Sequence, residues 1–249
     1  MFVRRGCNNK NKTPRINLYD KKADGMTEEM LRKAICATCR DMWHQGWVAA
    51  NDGNISAMLE DGRILCTPSG VSKREVEASM LLVVDRKGQV LEGTQKVSSE
   101  LAMHLRCYRE RPDVRAVVHA HPPMSTTFAV ADVPLDDYAM IESICVLGSV
   151  PVVPYAVPGT DAVAEAIAPY LRNHDALLLR AHGSLTVGCD LKTAYYRMES
   201  LEHFARITLF SKLLGGAKDL PRHEIDVLLE RRTTFYHMTG AHPGYQKLT

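Results

Sequence analysis

The sequence has no long hydrophobic run and no excess of charge of one sign. No apolar stretch approaches the roughly 20 residues that a membrane-spanning helix needs. The 31 basic and 29 acidic residues leave a formal net charge of only +2. We therefore expect neither a membrane nor a nucleic acid as partner, because no overall electrostatic field favours either. Any recognition of phosphate has to be local.

The sequence also lacks the marks of a secreted protein. The basic residues at its start are not followed by the hydrophobic segment of a signal peptide. Its seven cysteines are odd in number and scattered, which indicates free thiols in a reducing compartment rather than a disulfide framework. We therefore expect a cytoplasmic protein.

The composition is that of a folded domain with short extensions. Hydrophobic residues make up 45% of the 249 positions and charged residues 24%, both ordinary for a globular protein. Residues 1–25 are polar, rich in Lys, Arg and Asn and without apolar periodicity, which predicts a flexible basic arm. We expect a single domain over residues 26–232 and a poorly structured tail over residues 233–249.

Helical and strand patterns alternate along the domain. Thr27 precedes two glutamates and an amphipathic pattern, as a helix N-cap does. Asp190 opens a second long helical pattern. Further helices are predicted at residues 100–109 and 161–172, and strands at 114–121, 149–155 and 176–180. This order predicts an α/β layered domain with a central sheet, whose strand directions the pattern leaves open.

Three histidines form the strongest chemical signal. His119 and His121 lie two apart in a strand pattern, so both imidazoles point to one side of the sheet. His182 follows an apolar strand directly, where a strand end presents a side chain to a shared site. Three histidine ligands with an open fourth position are typical of catalytic zinc. The alternative is that His119 and His121 line a polar sheet face and His182 lies in an unrelated turn.

Donor-rich segments before and between these elements favour an anion. Ser98, Ser99 and Glu100 lie at the start of a predicted helix, where free backbone N–H groups attract negative charge. Residues 52–56 and 67–70 form two glycine-containing segments that we interpret as loops able to approach a ligand closely. An ordinary N-cap and two ordinary turns remain the alternative interpretation.

These motifs in this order resemble the class II aldolase and adducin head family. The sequence has GNIS at 53–56, TPSG at 67–70, SSE at 98–100, VVHAH at 117–121 and AHG at 181–183. The resemblance covers roughly residues 27 to 230. It implies a three-layer α/β/α domain with a mainly antiparallel central sheet, and a homotetramer with active sites near subunit contacts.

The resemblance also implies the roles of individual residues. The family zinc ligands match His119, His121 and His182, with one Zn²⁺ per subunit, and the catalytic glutamate matches Glu100. The family's pocket for the substrate phosphate matches Gly53, Asn54, Ser69, Gly70, Ser98 and Ser99.

The implied activity is reversible, zinc-dependent cleavage of a ketose 1-phosphate to dihydroxyacetone phosphate and an aldehyde. Glu100 would move the proton on the donor carbon while zinc stabilises the negative charge of the enediolate. Fuculose-phosphate aldolases carry a tyrosine from a neighbouring subunit shortly before residues 150–155, where counting back gives Met140. Tyr138, two residues away, is our candidate for the proton donor on the aldehyde side, with Tyr236 of the tail as the alternative.

Other reactions occur in the same family. The resemblance allows a sugar-phosphate dehydratase, an epimerase or a keto-acid-phosphate decarboxylase, and also a noncatalytic module like the adducin head. Family epimerases have aspartate where this chain has Glu100, which favours an aldolase. The three histidines together with Glu100 argue against a noncatalytic module.

Overall fold

The computed structural model describes residues 26–248, so the predicted basic arm of residues 1–25 lies outside the described residues. The α-helices are α1 Glu28–His44, α2 Leu101–Glu110, α3 Pro123–Ala131, α4 Ile141–Val146, α5 Asp161–Leu171, α6 Leu191–Leu213 and α7 Arg222–Thr234. The strands are β1 Asn54–Met58, β2 Ile64–Cys66, β3 Leu82–Val84, β4 Val90–Glu92, β5 Ala116–Ala120, β6 Val152–Val153, β7 Ala176–Leu179 and β8 Gly183–Gly188.

All eight strands form one sheet in the order β4-β3-β2-β1-β5-β8-β7-β6. Neighbouring strands are antiparallel except for β6 and β7, which are parallel. Strand β5 lies in the middle, with Asn54 of β1 opposite His119 on one side and Leu185 of β8 opposite His119 on the other. The mainly antiparallel sheet is the one that the family resemblance implied.

Helices cover both faces of the sheet. Val118 of β5 packs in one core cluster with Ile35 of α1 and Ala194 of α6. Val117 points the opposite way and packs in a second cluster with residues of α2 and α5, among them Ile167. Because side chains alternate along a strand, successive residues of β5 point into the two core clusters in turn. The chain is thus a three-layer α/β/α domain, as expected.

The predicted helix starts are confirmed by their caps. The side chain of Thr27 accepts a hydrogen bond from the amide of Met30, and that of Asp190 accepts one from the amide of Thr193. Each cap satisfies an amide that the first helical turn leaves without a partner. Local sequence chemistry therefore fixed where α1 and α6 begin.

Two local predictions need correction. The strand predicted over residues 149–155 is reduced to Val152–Val153. Proline at 151 and 154 has no amide hydrogen for a ladder, and Val150 pairs instead with Leu135 in an isolated bridge. The interpretation of residues 52–56 as a loop is wrong from Asn54 onward, because β1 begins there and pairs with β2 and β5.

The C-terminal segment, residues 235–248, contains no helix or strand but is held against the domain. The His242 Nε2 lies 2.7 Å from the carbonyl oxygen of Ile144. The Lys247 ammonium donates to the carbonyl of Asp136 at 2.7 Å, and the amide of Leu248 donates to the Asp136 carboxylate at 2.7 Å. None of the helices within residues 26–248 has both the length and the hydropathy needed to cross a membrane.

Candidate active site

The three predicted histidines meet at one end of the sheet. His119 is the fourth residue of β5, His121 follows that strand, and His182 lies in the turn between β7 and β8. One nitrogen from each ring can be chosen so that all lie within 4.8 Å of one another. The Nε2 atoms of His119 and His121 are 3.2 Å apart. Antiparallel pairing of β5 with β8 brings the distant His182 beside the other two.

Backbone geometry positions these rings. Ala181 has a φ of +56°, a conformation that a non-glycine residue adopts only when its surroundings require it, and it forms the turn that carries His182. Gly183 follows, and a side chain there would collide with the ring of His121 and the carbonyl of Ala120. The turn between β7 and β8 is thus shaped closely around the histidine cluster.

The outer nitrogens of two histidines have fixed partners. The Nδ1 of His119 lies 2.9 Å from the carbonyl oxygen of Ser184, so it carries the proton and leaves Nε2 free as a ligand. The Nδ1 of His121 lies 3.4 Å from the carboxylate of Asp52. Such outer partners orient metal-binding imidazoles and fix their tautomers. Sequence reasoning missed Asp52 and Ser184, because only the fold places them behind the rings.

Glu100 lies against the inner nitrogens of the cluster. Its two carboxylate oxygens are 3.4 Å from the Nε2 of His119 and 3.1 Å from the Nε2 of His182. The side-chain amide of Asn54 donates a hydrogen bond to the Glu100 carboxylate at 2.8 Å. The predicted catalytic carboxylate and the predicted metal ligands therefore share one site.

Burial and neighbouring groups set the protonation of this cluster. Burial lowers the pKa of His119 to about 3, although the carboxylate of Glu100 opposes this effect. Burial and the neighbouring His182 lower the pKa of His121. Burial raises the pKa of Glu100, but the imidazoles of His119 and His182 outweigh it and hold that pKa below its ordinary value. Neutral imidazoles beside a carboxylate are the forms that bind a metal ion.

A buried polar network fixes the helix that carries Glu100. The hydroxyl of Ser56 in β1 lies 2.7 Å from the Nδ1 of His104 and 2.7 Å from the hydroxyl of Tyr108, both in α2. Burial lowers the pKa of His104 to about 4, so this imidazole is neutral near pH 7. Because Glu100 precedes His104 by about one helical turn, the network holds Glu100 in place over the sheet.

The segments predicted to bind phosphate adjoin Glu100. The hydroxyl of Ser98 accepts hydrogen bonds from the Glu100 amide at 3.2 Å and from the Asn54 side chain at 3.4 Å. The amide of Ser69 donates to the carbonyl of Lys96 at 2.8 Å, which joins the segment of Ser69 to the one before Ser98. The half-exposed Ser69 and Ser98 and the exposed Gly70 and Ser99 thus border one region.

The structure explains why position 53 is a glycine. Its φ is +71°, and a Cβ there would lie 2.8 Å from the carbonyl oxygen of His119 and 2.8 Å from the side chain of Val48. Only glycine allows the segment to approach β5 so closely. The glycine of the GNIS motif therefore brings Asn54 next to the histidine strand.

Tyr138 lies apart from the other predicted site residues of its own chain. It is buried in a small cluster with Ile144 and Ile225, between α4 and α7. Its hydroxyl donates to the carbonyl of Gly244 at 2.8 Å and accepts from the amide of Gln246 at 2.8 Å. In this conformation the C-terminal segment engages the Tyr138 hydroxyl fully.

The donor set fits a metal ion. Three imidazole nitrogens converge, two of them on rings whose other nitrogen has a fixed partner, and a carboxylate stands beside them. Imidazole ligands suit zinc and also cobalt and nickel. Among residues 26–248, this is the group of histidine, cysteine and acidic side chains that can hold a metal.

Comparison with known proteins agrees with this geometry. The family described as "Class II Aldolase and Adducin N-terminal domain" matches residues 33–209. The 5-deoxy-D-ribulose 1-phosphate aldolase of Bacillus thuringiensis is 33% identical over 202 residues, covering 80% of this chain and 94% of the relative. The 3-oxo-tetronate 4-phosphate decarboxylase of Pectobacterium atrosepticum is 31% identical over 200 residues, covering 77% of this chain and 88% of the relative.

A solved structure described as L-fuculose 1-phosphate aldolase is 30% identical, covers 83% of this chain and 97% of its own, and superposes with a TM-score of 0.77. The fold is the class II aldolase fold. The relatives in sequence include both an aldolase and a decarboxylase. The chain is therefore a member of the family of class II aldolases and adducin N-terminal domains.

Proposed function

We propose that this protein is a zinc-dependent aldolase that reversibly cleaves a ketose 1-phosphate to dihydroxyacetone phosphate and an aldehyde. The observation that carries the proposal is the position of Glu100, whose carboxylate lies 3.1 and 3.4 Å from two of the three histidines. A proton carrier beside a metal site is the minimum that aldol chemistry on an unactivated ketose requires.

His119, His121 and His182 would hold one Zn²⁺ per subunit. When bound, the ion supplies a Lewis acid that polarises the carbonyl group of the substrate. Glu100 then removes the proton from the carbon beside that carbonyl in the synthetic direction and returns it during cleavage. The hydrogen bond from Asn54 holds the Glu100 carboxylate in place for both steps.

The phosphate of the substrate would bind where the three polar segments meet. Hydroxyls, a side-chain amide and free backbone amides suit a phosphate ester. The hydrogen bonds that join these segments around Ser98 support this placement. The proposed phosphate-binding residues are Gly53, Asn54, Ser69, Gly70, Ser98 and Ser99.

A proton donor on the aldehyde side completes the reaction. Tyr138 is proposed for this role. The C-terminal segment must first release the Tyr138 hydroxyl, because this hydroxyl is hydrogen-bonded to Gly244 and Gln246. Burial raises the pKa of Tyr138, which keeps the phenol protonated as a donor must be.

We also propose a cytoplasmic homotetramer. Phe210, Leu213 and Leu214 at the end of α6 are exposed, Leu214 to 90% of its surface. Large exposed apolar side chains that cluster in this way favour a subunit contact. Light scattering on the purified protein should give about four times the chain mass of 27.8 kDa, and the mass of a single chain would refute the assembly.

An aldol cleavage assay tests the reaction. The protein is incubated with a panel of ketose 1-phosphates, with and without a chelator, and release of dihydroxyacetone phosphate is measured. Release that the chelator abolishes and zinc restores supports the proposal. The absence of release from every substrate, with one zinc bound per chain, refutes it.

Decarboxylation of a phosphorylated keto acid is the second candidate. The similarity to a 3-oxo-tetronate 4-phosphate decarboxylase favours it. The same metal-bound protein, given 3-oxo-tetronate 4-phosphate, would then release carbon dioxide and dihydroxyacetone phosphate in equal amounts, and it would cleave no ketose 1-phosphate to an aldehyde. Because both reactions yield dihydroxyacetone phosphate, the co-product separates them: an aldehyde for aldol cleavage and carbon dioxide for decarboxylation.

A further inference from the structure

Lys73 carries a buried positive charge beside the proposed phosphate pocket. Its residue surface is only 1% exposed, although lysine is rarely buried to this extent. The ammonium donates one hydrogen bond to the carbonyl of Asn51 and one to the carbonyl of Val71, both at 3.1 Å. Among residues 26–248, no carboxylate lies within ion-pair distance of this ammonium.

A charge buried in this way destabilises the folded state. Removing an ammonium from water has a desolvation free energy of several kcal/mol, and hydrogen bonds to neutral carbonyls offset only part of it. Burial accordingly lowers the pKa of Lys73. The carboxylates of Asp52 and Glu100 favour its charged form from a distance, but neither forms an ion pair with it. Within the described part of the chain, no acidic side chain pairs directly with this cation.

The two carbonyls that receive these hydrogen bonds belong to two different parts of the proposed pocket. Asn51 lies two residues before Gly53, and Val71 directly follows Gly70. The ammonium therefore joins the backbone before Asn54 to the backbone after Ser69. The third part is joined through the bond from the Ser69 amide to Lys96 and through the contact between Asn54 and Ser98.

We propose that Lys73 is a positioning residue for the substrate phosphate, and that the phosphate dianion is the counter-charge that this ammonium lacks. Lys73 holds the two glycine segments at their spacing, and its charge makes the pocket select phosphorylated over unphosphorylated sugars. This inference rests on the phosphate pocket of the proposed function. It adds a specificity determinant that no motif of the sequence indicated.

Inorganic phosphate is the probe for the test, and binding to the zinc-loaded full chain is measured by calorimetry. Lys73→Met removes both the charge and the hydrogen bonds, whereas Lys73→Gln removes the charge and keeps a shorter side chain with an N–H donor. Lys87→Met is the matched control, because it removes one positive charge from an exposed turn. Zinc content and melting temperature are recorded for each variant.

Both Lys73 variants should bind inorganic phosphate about tenfold or more weakly than the wild type, since one nearby charge contributes at least that much in a partly buried site. Lys87→Met should change binding by less than about twofold, as an exposed and distant charge is screened by solvent. With a turned-over ketose 1-phosphate, KM should rise about tenfold in Lys73→Gln while kcat changes little.

Phosphate affinity within twofold of the wild type in a folded Lys73→Gln protein would overturn the inference. So would an absence of phosphate binding by the wild type. If Lys73→Met does not fold, Lys73→Gln decides the question. Failure of aldol cleavage together with Lys73-dependent phosphate binding would refute the proposed reaction and leave this inference standing. Aldol cleavage together with a phosphate affinity that does not depend on Lys73 would support the proposed reaction and refute this inference.

Discussion

Substituting Glu100→Gln tests the centre of the proposed chemistry with little disturbance of shape. The two side chains have nearly the same size, and the amide oxygen of glutamine can still accept the bond from Asn54, which is 2.8 Å long in the native protein. The amide nitrogen would then take the position 3.1 Å from the Nε2 of His182. The substitution removes the negative charge of the carboxylate and with it the capacity to take up and release a proton.

The expected effect on rate follows from the role of that proton. A positioned general base contributes about 10²–10⁴ to a rate, which corresponds to about 3–5 kcal/mol of transition-state stabilisation. We therefore expect kcat for cleavage to fall by at least about 100-fold. Zinc content should stay unchanged, because the three histidines remain.

Two assays measure this effect independently. The first is steady-state cleavage of the best ketose 1-phosphate, with metal analysis of the same sample. The second follows exchange of the donor-carbon hydrogen of dihydroxyacetone phosphate with deuterium by NMR, which needs no aldehyde. Glu110→Gln at the exposed end of α2 is the matched control. A kcat within fivefold of the wild type, or loss of zinc from Glu100→Gln, would show that Glu100 has a different role.

Three further outcomes are expected. Asp52→Asn should weaken zinc binding about 10- to 100-fold in a chelator competition, because the carboxylate orients His121; unchanged affinity would exclude that role. Tyr138→Phe should lower kcat at least about 100-fold if its phenol is the proton donor. Unchanged kcat with about 1 kcal/mol less stability would instead give the hydroxyl the sole role of holding the C-terminal segment at Gly244 and Gln246. Burial lowers the pKa of His242 to about 4, so its contribution to stability is present above pH 6.5 and is lost as the pH falls toward 4. Between pH 7.5 and 5, denaturant titrations should therefore show a loss of about 1–2 kcal/mol more for the wild type than for His242→Gln, and equal losses would contradict this.

Local chemistry made several elements of this fold predictable. Caps at Thr27 and Asp190 fixed the starts of α1 and α6, because a side-chain oxygen next to free amides acts within three residues of sequence. The strand pattern around His119 was recognised for a similar reason, since alternation is a local property. Strand β1 was missed because its polar residues Asn54 and Ser56 directly follow Gly53, a composition that also suits a loop.

The candidate site likewise contains residues that local sequence patterns indicate and residues that only the fold brings to it. His119 and His121 could be paired from their spacing in β5, and the motif order linked them to His182 and Glu100. The partners Asp52 and Ser184 carry no such signal, because they meet the rings only through the pairing of separate strands. Prediction therefore reached the proposed metal ligands and the proposed catalytic carboxylate, and missed the groups that orient the histidines.

The sequence by itself determined the family and the class of fold, and it indicated the proposed site, three histidines and a carboxylate in the order of the class II aldolases. Tertiary structure alone decided that the ammonium of Lys73 lies unneutralised between two glycine segments and that the hydroxyl of Tyr138 is engaged by the C-terminal segment. The physical reason is the distance along the sequence over which each interaction acts. Caps and alternation act over a few residues, whereas burial of a charge and the partner of a hydroxyl depend on segments tens of residues apart, which only the assembled sheet and its helices bring together.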